Sequence, residues 1–204
     1  MDLGVRAQES SLKNIFAPSE RLCMPPYQRS YSWGEREAGE LLTDLLDAAE
    51  TGTPHFIGAV VLNRGSEEGL LEIVDGQQRL TTLTILLAVL RDIESEPSKS
   101  AEIHALIADE ARPMLGEAAN WRLQLNHMDG PFFRHMIQTP GSTLKLDGES
   151  GESDSQQRMV QNARTLLKRV RALSEEDRRS LADVSMNRCA LVRVVVNDKD
   201  QGFK

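Results

Sequence analysis

Asp75, Gly76, Gln77, Gln78 and Arg79 are consecutive, and their types are those that hold a phosphate. A β-branched run, Ile73-Val74, precedes them, and an apolar helix pattern follows from Leu80. A helix start presents unpaired N–H groups and the positive end of the macrodipole. Gly76 lets another group approach the backbone, because no Cβ stands in the way. Arg79 adds a planar fork of donors suited to phosphate oxygens. Gln77 and Gln78 supply donors without net charge, and Thr81 and Thr82 place hydroxyls in the first turn. Asp75, at a strand end, could hold a magnesium ion or orient a water. A plainer account fits the same residues: an Asp N-cap, worth about 1 kcal/mol, with a turn glycine and a solvated arginine. The paired glutamines favour a ligand, since long side chains are entropically costly to fix unless something binds them.

A second cluster is "MPPYQRSYSW", Met24 to Trp33. Pro25 and Pro26 stiffen an extended approach. Tyr27, Gln28 and Arg29 follow at once, a combination suited to stacking on a base and gripping a phosphate. Tyr27 and Arg29 read as site residues. Tyr31 and Trp33 suit core aromatics that staple the next helix, with Tyr31 also a candidate sensor. His55 precedes a strand and is placed to reach the pocket. His104, His127 and His135 show no catalytic or metal spacing, and no Ser-His-Asp or Cys-His arrangement is legible.

The elements that must position these groups follow from periodicity. "SWGE", Ser32 to Glu35, has the form of a capping box, and Ala38, Leu41, Leu42, Leu45, Leu46 and Ala49 recur at helical spacing. "TGTP" ends that helix. His55 to Asn63 and Leu70 to Asp75 read as two strands joined by a turn over "RGSEEG". Leu83, Leu86, Leu87, Leu90 and Ile93 share one helix face. Ile85 and Val89 widen it, which predicts burial on most sides. Helices are expected near Ala101–Ala111, Pro131–Gln138, Gln156–Ala172 and Glu175–Val184, with Ser174 and Asp177 as a cap. "TPGSTLKLDGESGESDS", 139–155, is polar and reads as a mobile loop. A late strand covers Leu191 to Val196. The order implies a small sheet completed by a strand from far down the chain, with a helical region between.

Composition narrows the setting. The chain has 204 residues, 40% of them hydrophobic, enough for a packed core. A net charge of −7 disfavours a broad non-specific grip on nucleic acid but leaves room for a local basic pocket. Cys23 and Cys189 lie far apart and read as reduced thiols. The N-terminus is not a signal peptide, and the longest apolar stretch is too short to span a bilayer. A cytoplasmic protein without membrane association is the default.

"MPPYQRSYSW", "HFIGAVVLN" and "EIVDGQQRLTTLTILLAVL" together resemble the N-terminal domain family of GmrSD-type modification-dependent restriction enzymes, which includes phosphorothioate-sensing defence proteins. The likeness covers residues 20 to 95 most closely. It implies an α+β, ParB/sulfiredoxin-like fold: a small mixed sheet with a largely helical insertion. The expected organisation is 1–96 as the α/β part, 97–188 as the helical region and 189–204 as the late strand. The resemblance implies hydrolysis of a nucleoside triphosphate, GTP or ATP, with Mg2+. Asp75, Gln77, Gln78 and Arg79 would be catalytic, and Gly76, Thr81, Thr82, Arg29 and His55 would bind nucleotide. Tyr27, Gln28, Arg29 and Tyr31 would sense DNA, and Asp75 would hold the metal. Modified DNA and a C-terminal nuclease domain are the implied partners, with room for a homo-oligomer. Sulfiredoxins carry a cysteine between the glycine and arginine of this turn. Gln77 and Gln78 stand there instead, so thiol chemistry is lost while a phosphate cradle remains. Family members continue past the late strand, so the ending "DKDQGFK" implies a fragment without its nuclease. The alternative function is a recognition module for modified DNA that does not hydrolyse nucleotide.

Overall fold

A computed structural model of the chain describes residues 5–64, 69–109, 114 and 119–196. The turn over "RGSEEG" and the ending "DKDQGFK" lie largely outside those residues; the helix expected near Ala101–Ala111 stops at His104, because Ala108 and Asp109 pair as a strand with Asn120 and Trp121. The strands are β1 (Val5–Ser11), β2 (Arg21–Cys23), β3 (His55–Arg64), β4 (Leu70–Asp75), β5 (Ala108–Asp109), β6 (Asn120–Trp121), β7 (Leu123–Gln124) and β8 (Cys189–Val196). The helices are α1 (Leu12–Ile15), α2 (Glu35–Thr51), α3 (Gln77–Ile93), α4 (Pro97–His104), α5 (Gly130–Phe133), α6 (Asp154–Arg171) and α7 (Glu175–Asp183).

Six strands form one mixed sheet in the order β1-β8-β3-β4-β2-β7, while β5 and β6 form a separate ribbon. The fold is therefore the α+β, mixed-sheet arrangement with helices between its early and late strands. The late strand does not merely close an edge. β8 enters the interior, parallel to β3 and antiparallel to β1. Val192 and Val194 to Val196 suit such a strand, because β-branched residues pack well on a pleated surface with neighbours on both edges. β1, β2 and β7 extend the sheet on both sides. Short polar strands such as "RLC" carry too little periodicity to announce themselves.

α3 is the central pillar. Its residues from Leu80 to Arg91 are all buried. Each fully buried Leu, Ile or Val contributes about 1.5–3 kcal/mol from lost water contact. α2 and α6 flank it. α2 starts at Glu35 rather than at Ser32, because the Glu37 carboxylate accepts the Gly34 N–H at 2.9 Å and sets the cap there. Ser174 caps α7 as its sequence suggests, its Oγ accepting from Asp177 N at 3.1 Å. The segment Pro131–Gln138 begins as α5 and widens into a π-helical turn over Arg134–Gln138.

The segment 139–155 is not a loose loop. It holds a 3-10 turn, Ser142–Lys145, and Thr143 is fully buried. Arg91 and Asp92, both buried at the end of α3, form an ion pair at 2.7 Å. Arg91 donates to the carbonyls of Gln138 at 2.6 Å and Thr139 at 2.9 Å. Asp92 accepts from Gly141 N at 2.8 Å and from Thr143 N and Oγ1 at 3.1 and 2.7 Å. A buried charge pair thus anchors the segment alongside Leu146, which is buried in the core. Among the described residues, no helix is long and apolar enough to cross a membrane.

Candidate functional site

The β4–α3 corner turns at Gly76, which has φ +93° and N-caps α3 without a side-chain cap. Asp75 therefore remains in β4 as an exposed carboxylate instead of capping the helix. A Cβ at Gly76 would stand 3.0 Å from Val60 Cγ2 and 3.1 Å from the Ala59 carbonyl oxygen. The corner is thus pressed against β3, where only glycine fits both the space and the left-handed conformation. The first intrahelical bond runs from Leu80 N to Gly76 O, so the N–H groups of Gln77, Gln78 and Arg79 lack intrahelical acceptors.

Arg79 occupies a seat made by Gly58. That glycine lies in β3 with φ +105°, where the pairing with β8 shifts register between Phe56 and Ala59. A Cβ there would meet the Arg79 guanidinium at 2.9 Å. The bulge thus opens the strand for the arginine, and Arg79 Nη1 donates to the Ala59 carbonyl at 3.3 Å. Most of the guanidinium fork remains available to oxygens in the cavity beside it.

The two glutamines have separate roles. Gln78 Oε1 accepts from Ser32 N at 2.7 Å and Trp33 N at 3.2 Å, while its Nε2 donates to Ser30 O at 3.3 Å. It clamps the aromatic segment onto α3. Gln77 is 7% exposed, and its Oε1 is buried without a hydrogen-bond partner. An unsatisfied buried amide oxygen costs about 1–3 kcal/mol, so the site retains an unmet polar group. Gln28 Nε2 donates to Val74 O at 3.0 Å and holds the proline-led segment against the end of β4.

These elements enclose a cavity of about 460 Å³, walled by Gln28, Arg29, Trp33 and the run from Val74 to Arg79. Two arginines, one carboxylate and a helix N-terminus face one space, an arrangement that can receive a phosphate. The structure thus brings Gln28, Arg29, Asp75, Gly76, Gln77, Gln78 and Arg79 together. Tyr27 is 73% exposed and is not part of the wall. His55 is also outside it, with Nε2 3.9 Å from Asp44 Oδ2. Thr81 and Thr82 are buried, and their hydroxyls donate back to the Gln77 and Gln78 carbonyls at 2.8 and 2.9 Å. They support the helix, and neither lines the cavity.

Tyr31 is likewise a supporting residue. Its OH lies 2.8 Å from Thr82 Oγ1 and accepts from Asn162 Nδ2 at 2.8 Å. Because the single Thr82 proton goes to Gln78 O, Tyr31 must donate to Thr82. Asn162 also donates to Trp33 O at 2.9 Å. A polar chain thus links α6, the aromatic segment and α3 beneath the cavity. Burial pushes the Tyr31 phenol up to about 12, which keeps that donor proton in place. Burial also pushes the Cys189 thiol up to about 12 despite nearby Arg79, so it is no thiolate nucleophile at neutral pH. Among the described residues, no three His, Cys, Asp or Glu side chains form a metal-binding group.

Sequence reasoning missed Gly58, Asn162 and the wall role of Val74 and Trp33. Gly58 did carry a signal, since an isolated glycine within a strand marks a bulge or a close approach. Asn162 carried none, being distant in sequence and one of many polar residues in α6.

A mixed-sheet α+β domain with an anion-receptive cleft at a strand-to-helix corner is the class that fold and site define. Within that class the chain belongs to the GmrSD restriction endonuclease N-terminal domain family, whose model matches residues 12–204. No curated protein matches the chain.

Proposed function

We propose that this chain is the nucleotide-hydrolysing sensor domain of a modification-dependent restriction protein. Its cleft would bind a nucleoside triphosphate, and its DNA-facing rim would govern a nuclease domain in the same system. The observation that carries this reading is the convergence of Arg29, Arg79, Asp75 and the α3 N-terminus on one cavity. The partnerless Gln77 Oε1 supports it, because a bound ligand or its water would satisfy that atom. The family membership supplies the restriction setting.

Phosphoryl transfer to water needs positioning and charge stabilisation more than covalent help. The N–H groups of Gln77 to Arg79 and the two guanidiniums would hold phosphate oxygens. Asp75 would orient the attacking water. Magnesium fits a site with a single carboxylate, because it binds through one or two carboxylates together with substrate phosphates and water. It would be held by Asp75 and the nucleotide, and would supply charge neutralisation.

The test is phosphate release from ATP and GTP with Mg2+, with and without phosphorothioate or modified-cytosine DNA. Asp75→Asn should cut turnover about 100-fold while nucleotide binding persists. Asp75 is exposed and outside the core, so folding should be unaffected. Absence of turnover and of nucleotide binding under every condition would defeat the proposal. A non-hydrolysing recognition module is the second reading, favoured by Tyr27 and Arg29 both standing exposed two positions apart in sequence. Modified-DNA binding without turnover would select it.

A further inference from the structure

A second cavity, of about 400 Å³, lies away from the β4–α3 corner and is lined by Arg6, Gln8, Arg64, Arg193 and Val195. Pairing places Arg6 opposite Val195 and Gln8 opposite Arg193 on β1 and β8. Arg193 neighbours Val60, and Val195 neighbours Leu62, on β3. Directly paired residues share a sheet face, and Arg64 shares it by lying two residues beyond Leu62. Val60 and Leu62 are fully buried, so this is the face that builds the core. At one end of it, three adjacent strands replace apolar side chains with guanidiniums.

A charge pointing inward from edge strand β1 can serve simply to discourage edge pairing. That accounts for Arg6 but not for Arg193, which is on an interior strand with its side chain only 14% exposed. Arg193 pairs with Glu20, yet its Nε is buried and has no hydrogen-bond partner. Among the described residues, Glu20 is the only carboxylate paired with any of the three. A cavity with surplus positive charge and an unmet buried donor fits an anion with several oxygens.

We infer that Arg6, Arg64 and Arg193 form a second phosphate-binding site, separate from the β4–α3 cleft and independent of its function. The phosphate could belong to a DNA backbone or to a small free phosphate compound, and the two are separable. Binding of the 204-residue chain to an unmodified DNA duplex is followed against NaCl without nucleotide, and binding of pyrophosphate is followed by calorimetry. Each lost phosphate contact lowers the slope of log affinity against log salt by roughly 0.9. Arg6→Ala/Arg64→Ala should therefore lower the duplex slope by roughly 2 if the source is DNA. Pyrophosphate affinity should fall at least tenfold if the source is small. Arg6→Lys/Arg64→Lys should restore the slope, which separates charge from misfolding. An effect in either arm supports the site. Unchanged binding in both arms, or no binding by wild type, overturns it.

Discussion

Replacing Gly58 with alanine tests whether the β3 bulge builds the site. A non-glycine residue at φ +105° costs about 1–3 kcal/mol in backbone strain. The new Cβ would also lie 2.9 Å from Arg79 Cζ and Nη2, closer than real contacts allow. Arg79 is flexible, so it should yield by withdrawing its guanidinium. That breaks the 3.3 Å bond to Ala59 O, worth roughly 0.5–1.5 kcal/mol net. Total destabilisation of about 2–4 kcal/mol corresponds to a fall in Tm of roughly 4–16 °C for a domain of this size. Displacing one charged donor from the cleft should weaken nucleotide binding by about 10- to 100-fold, from 1.5–3 kcal/mol per charge-assisted bond. Thermal unfolding and nucleotide titration read the two effects separately. Gly141→Ala is the control, because its φ of +77° imposes similar strain while nothing lies within 4 Å of the added Cβ. It should lower Tm and leave binding intact. Equal nucleotide affinity in wild type and Gly58→Ala would refute the claim that the bulge seats a ligand-binding arginine.

Gln78→Ala should cost about 2–4 kcal/mol, since it strips acceptors from two backbone N–H groups; limited proteolysis should then cut within 28–33, and resistance there would argue against the clamp. Arg91→Leu should cost about 3–5 kcal/mol by leaving Asp92 buried without its ion pair, and should open 139–155 to protease. Tyr31 has its ordinary value of 10.0 raised to about 12 by burial. Its contribution to stability is complete below pH 10 and is lost as pH rises from 10 towards 12, by up to about 3 kcal/mol. Denaturant midpoints should show that alkaline decline in wild type and not in Tyr31→Phe.

Local chemistry declares itself in this chain. A β-branched run, one glycine and a long apolar helix are contiguous, so the β4–α3 corner and the burial of α3 could be read from Ile73 to Leu90 alone. Ser174 likewise marks its helix start, because a cap needs only residues three positions apart. Relations between distant segments could not be read. That Gln78 clamps residues 30–33, that Thr82 and Tyr31 join Asn162 under the cleft, and that His55 falls outside it are decided by packing. The polar stretch 139–155 is ordered by Arg91 and Asp92, some fifty residues earlier, so its own composition suggested the opposite. Residue types along the chain determine which groups can bind a phosphate and where strand gives way to helix, because those depend on neighbours in sequence. Which groups share a cavity, and which become its supports, is settled only when β8 enters between β1 and β3, α3 is enclosed, and the bulge at Gly58 meets Arg79.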